Sequence, residues 1–283
     1  MEQLGSKAEV RQAIAEARRE DKRIALVPTM GALHDGHLSL VHAARQRADY
    51  VAVSVFVNPT QFGEAEDFAA YPRDLARDLD LLGAEGVDLA FTPSPEVMYA
   101  PGADVTIEPG RLGTVLEGAV RSGHFRGVCT IVTKLLSITG PDLAFFGEKD
   151  YQQLVLVRRM VRDLDLPVKV VGAPTVRECD GLAISSRNAH LSAEERAAAP
   201  VLYRALRSAE TLALGGERDA AVLEDAMRST VESEPVMTLD YAAVVDAASL
   251  EPSGELGPKP ARALIAARIG RTRLIDNLSL EVG

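Results

Sequence analysis

His34-Asp35-Gly36-His37 is the string in this chain whose residue types and spacing point most directly to chemistry. Two imidazoles three residues apart at a helix start share one face of its first turn. That end of a helix carries unpaired N–H groups and a partial positive charge, and together they attract phosphate. Before it, Arg23–Pro28 reads as an apolar strand, and Gly31 supplies the turn. A strand that ends in such a turn is where open α/β sheets take their ligands, so nucleotide phosphate chemistry is the first expectation. The same residues would also build an ordinary turn with two polar side chains. A metal site lacks a third His or Cys at ligand spacing, and His42, in the helix body, is expected on the surface.

Three further strings carry polar groups to turns. In Asn58-Pro59-Thr60-Gln61, Asn58 is held extended by the proline and aims side chains at the edge of the sheet. Gln61 offers a donor and an acceptor, suited to a small hydroxy acid. Gly147-Glu148-Lys149-Asp150 repeats the strand–turn–helix order. There Gly147 allows close backbone approach, Lys149 adds a compact positive charge and Asp150 can accept from ribose hydroxyls. Gln153, one helical turn on, is expected to face the same cleft as Lys149 and Asp150. Ser185-Ser186-Arg187 pairs two hydroxyls with a guanidinium, a set suited to phosphate oxygens. A plain Asn-Pro turn, a solvated charge cluster and a surface loop are the respective bland readings. No role is read for the polar, glycine-rich stretch Arg121–Gly127. There is no G-x-G and no G-x-x-x-x-G-K-[ST], so neither a dinucleotide fingerprint nor a P-loop is present.

The elements that must position these groups alternate. Ser6 and Glu9 match a capping box, with Val10, Ala13, Ile14 and Ala17 following at helical spacing. Strands are expected at Arg23–Pro28, Tyr50–Val57, Val87–Phe91, Asp142–Phe146 and Val168–Gly172. Helices are expected at Gly36–Ala48, Pro72–Glu85, Val128–Ser137 and Tyr151–Asp163. The strands are near-continuous apolar runs, as in a doubly wound parallel sheet covered on both faces. After about Thr175 the rhythm changes to helices Ser192–Leu212 and Ala220–Glu232, then strands Leu239–Val245, Ala261–Ile269 and Arg273–Asn277. That order suggests a smaller α+β domain, giving domains 1–175 and 176–283.

The 283 residues can bury a sizeable core. A net charge of −10 argues against a general nucleic-acid binder or a membrane-surface protein. Two cysteines with no Cys-x-x-Cys fit a reducing compartment. The first residues show no apolar signal stretch, and no run approaches membrane-spanning length, so the expected address is the cytoplasm.

The strings PTMGALHDGHLSLV, FVNPTQF, YPRDL, GHFRGVCTIVTKLL, FFGEKDYQQL and DGLAISSRN, in order over roughly residues 23 to 195, resemble the pantoate–β-alanine ligase family. The resemblance implies a Rossmann-like fold of the HIGH-type nucleotidyltransferase superfamily and a cytoplasmic homodimer. It also implies condensation of (R)-pantoate with β-alanine through a pantoyl-adenylate, with ATP split to AMP and pyrophosphate. By resemblance, Met30, Gly31, Ala32, Leu33, His34, Asp35, Gly36 and His37 bind ATP, and His37 is the proton donor. Gly147, Glu148, Lys149 and Asp150, Val176, and Ile184, Ser185, Ser186 and Arg187 complete the ATP contacts. His34 and Lys149 join His37 as the catalytic set. Gln61, Gln153 and Asn58 are the substrate-binding candidates for pantoate and β-alanine. Mg²⁺ is expected through the ATP phosphates, with no protein metal site. Asp35, Thr60 and Ile184 stand where the family more often has Glu, a larger apolar residue and Met. The rivals are a transferase of the same superfamily, which keeps the nucleotide on its product, and a silent nucleotide-sensing module. A tRNA synthetase would need a basic RNA-binding region.

Overall fold

Strands that are apolar along their whole length must sit between two layers of helix. In the computed structural model, which describes residues 1–63, 68 and 71–281, that is where they lie. The chain divides into two compact units, Met1–Glu148 with Gln152–Pro174, and Lys149–Tyr151 with Thr175–Gly283. Among the described residues no helix is long and apolar enough to cross a membrane.

The first unit holds an all-parallel sheet of β1 (Glu2–Leu4), β2 (Ile24–Thr29), β3 (Tyr50–Val55), β4 (Leu89–Phe91), β5 (Leu143–Gly147) and β6 (Lys169–Ala173). Its order is β1-β4-β3-β2-β5-β6. From β2 the chain winds outward to β3 and β4, then returns to place β5 and β6 on the other side. The C-terminal ends of β2 and β5 therefore flank the point where the winding reverses, the standard ligand crevice of such sheets. This is the expected doubly wound sheet. Its connections are α1 (Lys7–Arg19), α2 (Asp35–Arg45), α3 (Leu75–Ala84), α4 (Pro95–Met98), α5 (Glu117–Val120), α6 (His124–Thr139) and α7 (Tyr151–Asp163). α1 opens on the expected Ser6–Glu9 capping box and buries Val10, Ile14 and Ala17. Val27, Leu33, Leu40, Val41, Ala44 and Val53 form part of one buried cluster, so α2 is fastened to the sheet directly behind the His34 turn.

The second unit carries α8 (Ala193–Ala198), α9 (Val201–Leu214) and α10 (Ala220–Glu232). With them is the antiparallel sheet β7 (Met237–Asp246), β8 (Ala261–Ile269) and β9 (Thr272–Leu280), in the order β7-β8-β9. Leu202, Leu206, Leu223, Met227, Val231, Val244, Ile265 and Ile269 belong to its separate core.

Four local differences from the sequence expectation have plain causes. β1 is three residues long, too short for any periodicity. The helix expected from Pro72 begins at Leu75, because Asp74 caps it by accepting from the Arg77 N–H. The helix expected from Val128 begins at His124, on the left-handed Gly123. The single helix expected over Ser192–Leu212 is two, because Pro200 has no N–H to continue the ladder and serves as the N-cap of α9.

Candidate active site

The His34 turn is built by sequence-local strain held from a distance. β2 ends at Thr29, whose hydroxyl donates to the Ser54 carbonyl at 2.7 Å and accepts from the Gly31 N–H at 3.3 Å. Beyond Met30 two residues take left-handed backbone, Gly31 at φ +81° and Ala32 at φ +51°. A side chain at Gly31 would place its Cβ 2.9 Å from the Asp78 carboxylate, so only glycine fits. Ala32 pays a strain penalty there. What holds it is Asp78 of α3, 1% exposed, whose two oxygens accept from the Ala32 N–H at 2.9 Å and the Leu33 N–H at 2.8 Å. His34 follows in extended conformation as the N-cap of α2, so it precedes the helix rather than sitting in the first turn. Its carbonyl accepts from the His37 N–H at 2.7 Å. The two rings end 4.0 Å apart, tilted by 33°. Asp35 and Gly36 open the helix between them, with the positive end of its dipole beside the rings.

The turn after β3 is pinned from the other side. Pro59–Gln61 forms one 3-10 turn capped by Asn58. Asn58, expected to contact substrate, is 1% exposed and its amide is used internally. Its Oδ1 accepts from Tyr99 OH at 2.7 Å and from the Thr60 hydroxyl at 3.0 Å, and its Nδ2 donates to Gln61 Oε1 at 3.1 Å and to the Gly127 carbonyl at 3.2 Å. Asn58 therefore orients Gln61. Burial pushes the Tyr99 phenol up, against the downward pull of its bonds to Thr60 and Asn58. The Gln61 amide nitrogen donates to Met30 Sδ at 2.8 Å, which brings Met30 and Gln61 together. Thioether sulfur is a weak acceptor, so a substrate oxygen would displace it readily. Behind the turn, His124 Nδ1 donates to the Gln61 carbonyl at 2.8 Å, and Arg121 donates to His124 Nε2 at 2.9 Å. The Arg121–Gly127 stretch thus props the Gln61 turn. Gln153, on α7, is half-buried. Its neighbour Gln152, unremarked in the sequence, is buried, donating to the Leu112 and Val115 carbonyls and accepting from the Glu117 N–H.

β5 ends at Gly147, where an added Cβ would meet nothing within 4 Å, and Glu148 is the last residue of the first unit before Lys149–Tyr151. In the second unit, Lys149 occupies the 3-10 turn Glu148–Asp150, with its ammonium 3.5 Å from Asp150. Lys149, Ser185 and Arg187 line one small pocket together with Asn188 and Asp276. The loop bearing the two serines springs from a narrow hairpin in which the Ile184 N–H donates to the Val176 carbonyl at 3.0 Å and Arg177 bridges Ala183. Arg177 locks that hairpin with two bonds to Asp276, at 2.6 and 2.9 Å, and with its guanidinium 4.1 Å from the Tyr203 ring centre. Ser185 caps the turn Ser186–His190 by accepting from the Arg187 N–H at 3.3 Å. His42 lies on the surface, paired with Glu85.

Sequence reading missed Asp78, His124 and Gln152. Asp78 alone had a signal, a charge on the inward stripe of α3 beside buried Leu82.

The sequence profile of the pantoate–β-alanine ligase family matches residues 2–279. The chain belongs to that family. Relatives of this ligase family include the pantothenate synthetase of Rubrobacter xylanophilus, 56% identical over 98% of each chain. That of Moorella thermoacetica is 51% identical over 100% of this chain and 99% of the relative. The crystal structure of the Thermus thermophilus pantothenate synthetase superposes with a TM-score of 0.92 at 48% identity, covering 98% and 99% of the two chains. The Francisella tularensis ligase, solved in complex with beta-gamma ATP and β-alanine, gives 0.82 at 35% identity, covering 100% and 99%.

Proposed function

We propose that this ligase activates pantoate with ATP as an acyl-adenylate, then passes the acyl group to β-alanine. Pantoate's carboxylate is already ionised at neutral pH, so its attack on the α-phosphorus needs no general base. The bond to the β-phosphate bridging oxygen breaks and pyrophosphate leaves. That step needs alignment and neutralisation of the charge that builds on phosphate oxygens. His34, His37 and the N-terminus of α2 are assigned to the α-phosphate, with His37 as the proton donor. Lys149, Ser185, Ser186 and Arg187 are assigned to the departing phosphates. Backbone groups of Met30–Asp35, Gly36, Gly147, Glu148, Val176 and Ile184 line the nucleotide, and Asp150 takes the ribose. Gln61 and Gln153 hold pantoate. In the second step the neutral amine of β-alanine attacks the acyl carbon, the bond to AMP breaks and the amine gives up a proton. Holding the adenylate away from water prevents its hydrolysis.

Among the described residues no cluster of three His, Cys, Asp or Glu side chains could hold a metal. On family resemblance, Mg²⁺ is taken to arrive on the phosphates of ATP, as part of the substrate. We place the enzyme in the cytoplasm, on its two free thiols, and take it to act as a homodimer on family resemblance.

The observation that carries this reading is the ring pair 4.0 Å apart at the head of α2, beside the reversal point of the sheet. Pantoate alone is expected to support ATP–pyrophosphate exchange, and free AMP to form only once β-alanine is added. A product that kept the nucleotide would instead identify a transferase. His37→Ala is expected to leave ATP binding measurable while lowering exchange at least about a hundredfold. A rate within a few-fold of wild type would refute the role.

A further inference from the structure

We infer that Asn277, in the last strand of the C-terminal sheet, is a positioning residue for Lys149. The inference rests on the reading of Lys149 as a cation for the ATP phosphates.

Asn277 is an unusual residue for its place. It stands inside β9, paired with Leu264 of β8, and is 3% exposed. Asparagine is disfavoured in strands, and a buried amide is costly unless both ends are bonded. Both are. Its Nδ2 donates to the Lys149 carbonyl at 2.9 Å, and its Oδ1 accepts from Arg262 Nε at 2.8 Å. A carbonyl can only accept and a guanidinium can only donate, so the amide has one orientation. Flipping it would set donor against donor and acceptor against acceptor.

The grip extends to the next turn of chain. The Arg262 guanidinium that orients Asn277 lies 4.0 Å from the centre of the Tyr151 ring, and Tyr151 OH donates to the Ala247 carbonyl at 2.9 Å. Lys149–Tyr151 is thus held at a backbone carbonyl, a ring face and a phenol, all by groups from residues 247–277. This accounts for a feature of the chain division: Lys149–Tyr151 goes with the second unit although Glu148 and Gln152 on either side go with the first. The adjacent residue on the same strand, Asp276, receives Arg177 and so fixes the hairpin that carries Ser185–Arg187. Arg177 also donates to the Asn277 carbonyl at 3.3 Å. Two consecutive residues of β9 therefore set the lysine and the serine loop in one frame, and those groups share a pocket. A lysine is long and strongly hydrated, and fixing its backbone limits the volume its ammonium explores to that frame.

The test uses the whole protein and two probes, an ATP analogue with a β,γ-imido bridge and AMP, which lacks the phosphates at issue. Dissociation constants are measured for wild type, Asn277→Asp, Lys149→Ala and the double variant. Asn277→Asp keeps the shape and the acceptor for Arg262 but removes the donor to Lys149. It is expected to weaken the analogue roughly tenfold, within the range of measured couplings between contacting residues. AMP should change less than twofold, since a general loosening of the fold would weaken both probes. In the Lys149→Ala background, Asn277→Asp should cost less than twofold for either probe. Equal losses in the two backgrounds, a matching loss for AMP, or no loss at all would overturn the proposal. If Lys149→Ala itself leaves the analogue unaffected, the role given to the lysine fails first and carries this inference down with it. Should Asn277→Asp not fold, Arg262→Met, which removes the group orienting the amide, enters the same four-way comparison with the same expected pattern.

Discussion

Asp78 shows why a site residue can be invisible at its own position. It lies 46 residues from the Ala32 N–H it binds, and nothing near it in sequence marks a catalytic turn. Both its oxygens are used on backbone N–H groups, and each bond to a charged acceptor is worth about 1.5–3 kcal/mol. Asp78→Asn turns one oxygen into a donor facing a donor. The left-handed Ala32 then loses the support that offsets its strain, and His34, two residues on, moves with it. We expect a loss of roughly 2 kcal/mol in stability by thermal unfolding, and a fall of about tenfold or more in pyrophosphate exchange at saturating substrates. Full exchange in a folded Asp78→Asn protein would show that the turn keeps its shape unaided. Gln61→Ala belongs to the same scale: its pantoate KM should rise while ATP affinity stays, because the Gln61 side chain bonds Asn58 of its own turn and, among the groups assigned to ATP, Met30. His34, His37, Lys149 and the Ser185 loop stand out in the sequence because polar side chains in a strand–turn–helix have few purely structural uses. The turn-capping use of Asn58 was not legible, since an amide that caps a turn and one that meets a ligand look alike in sequence.

At the scale of elements, two glycines of the site separate structure from ligand. Gly127, in α6, is where that helix crosses the Asn58–Gln61 turn: an added Cβ would sit 2.3 Å from the Thr60 carbonyl oxygen and 2.7 Å from the Gln61 Cα. Backbone is on the other side, so no side chain can swing away. Gly127→Ala must push the helix off the turn, break the bond from Asn58 to the Gly127 carbonyl, and displace His124 from the Gln61 carbonyl. Overpacking of this kind costs about 1–3 kcal/mol. We expect a lower melting temperature with a raised pantoate KM. Gly147 is the opposite case, with open space around its missing Cβ. Gly147→Ala should melt within a degree or two of wild type yet bind ATP less tightly, and unchanged ATP affinity would show that no ligand uses that space. The elements themselves were largely readable from apolar periodicity; α10 and β8 fall at the expected residues. The ends were not, because caps such as Asp74 and the break at Pro200 depend on single backbone groups. Crossings such as α6 over the Gln61 turn leave only a glycine as their trace.

For the whole molecule, the doubly wound order was visible because the central parallel strands β2 to β5 are buried on both faces and read as apolar runs. The apportioning of Lys149 to the C-terminal unit was not, since it depends on an amide 128 residues away. Stability is the property that belongs to this scale, and its alkaline limit can be argued from Cys129. That thiol is 1% exposed on the inner face of α6, and burial pushes it up from 9.0 to about 11, with the nearby Glu108 charge adding to the shift. The folded value lies above the unfolded one, so the stabilisation is complete below pH 9, where both states keep the proton. Between pH 9 and about 11 only the unfolded chain ionises, and folding stability drains away through that window. At about 1.4 kcal/mol per unit, the full loss approaches roughly 3 kcal/mol. Cys129→Ala removes the titration while leaving a small cavity, so its stability should start lower than wild type at pH 8 and fall less steeply toward pH 11. Lysines and tyrosines titrate in the same range in both proteins, so the difference between the two urea-unfolding curves against pH isolates the thiol. Parallel curves would mean that Cys129 does not carry the alkaline loss.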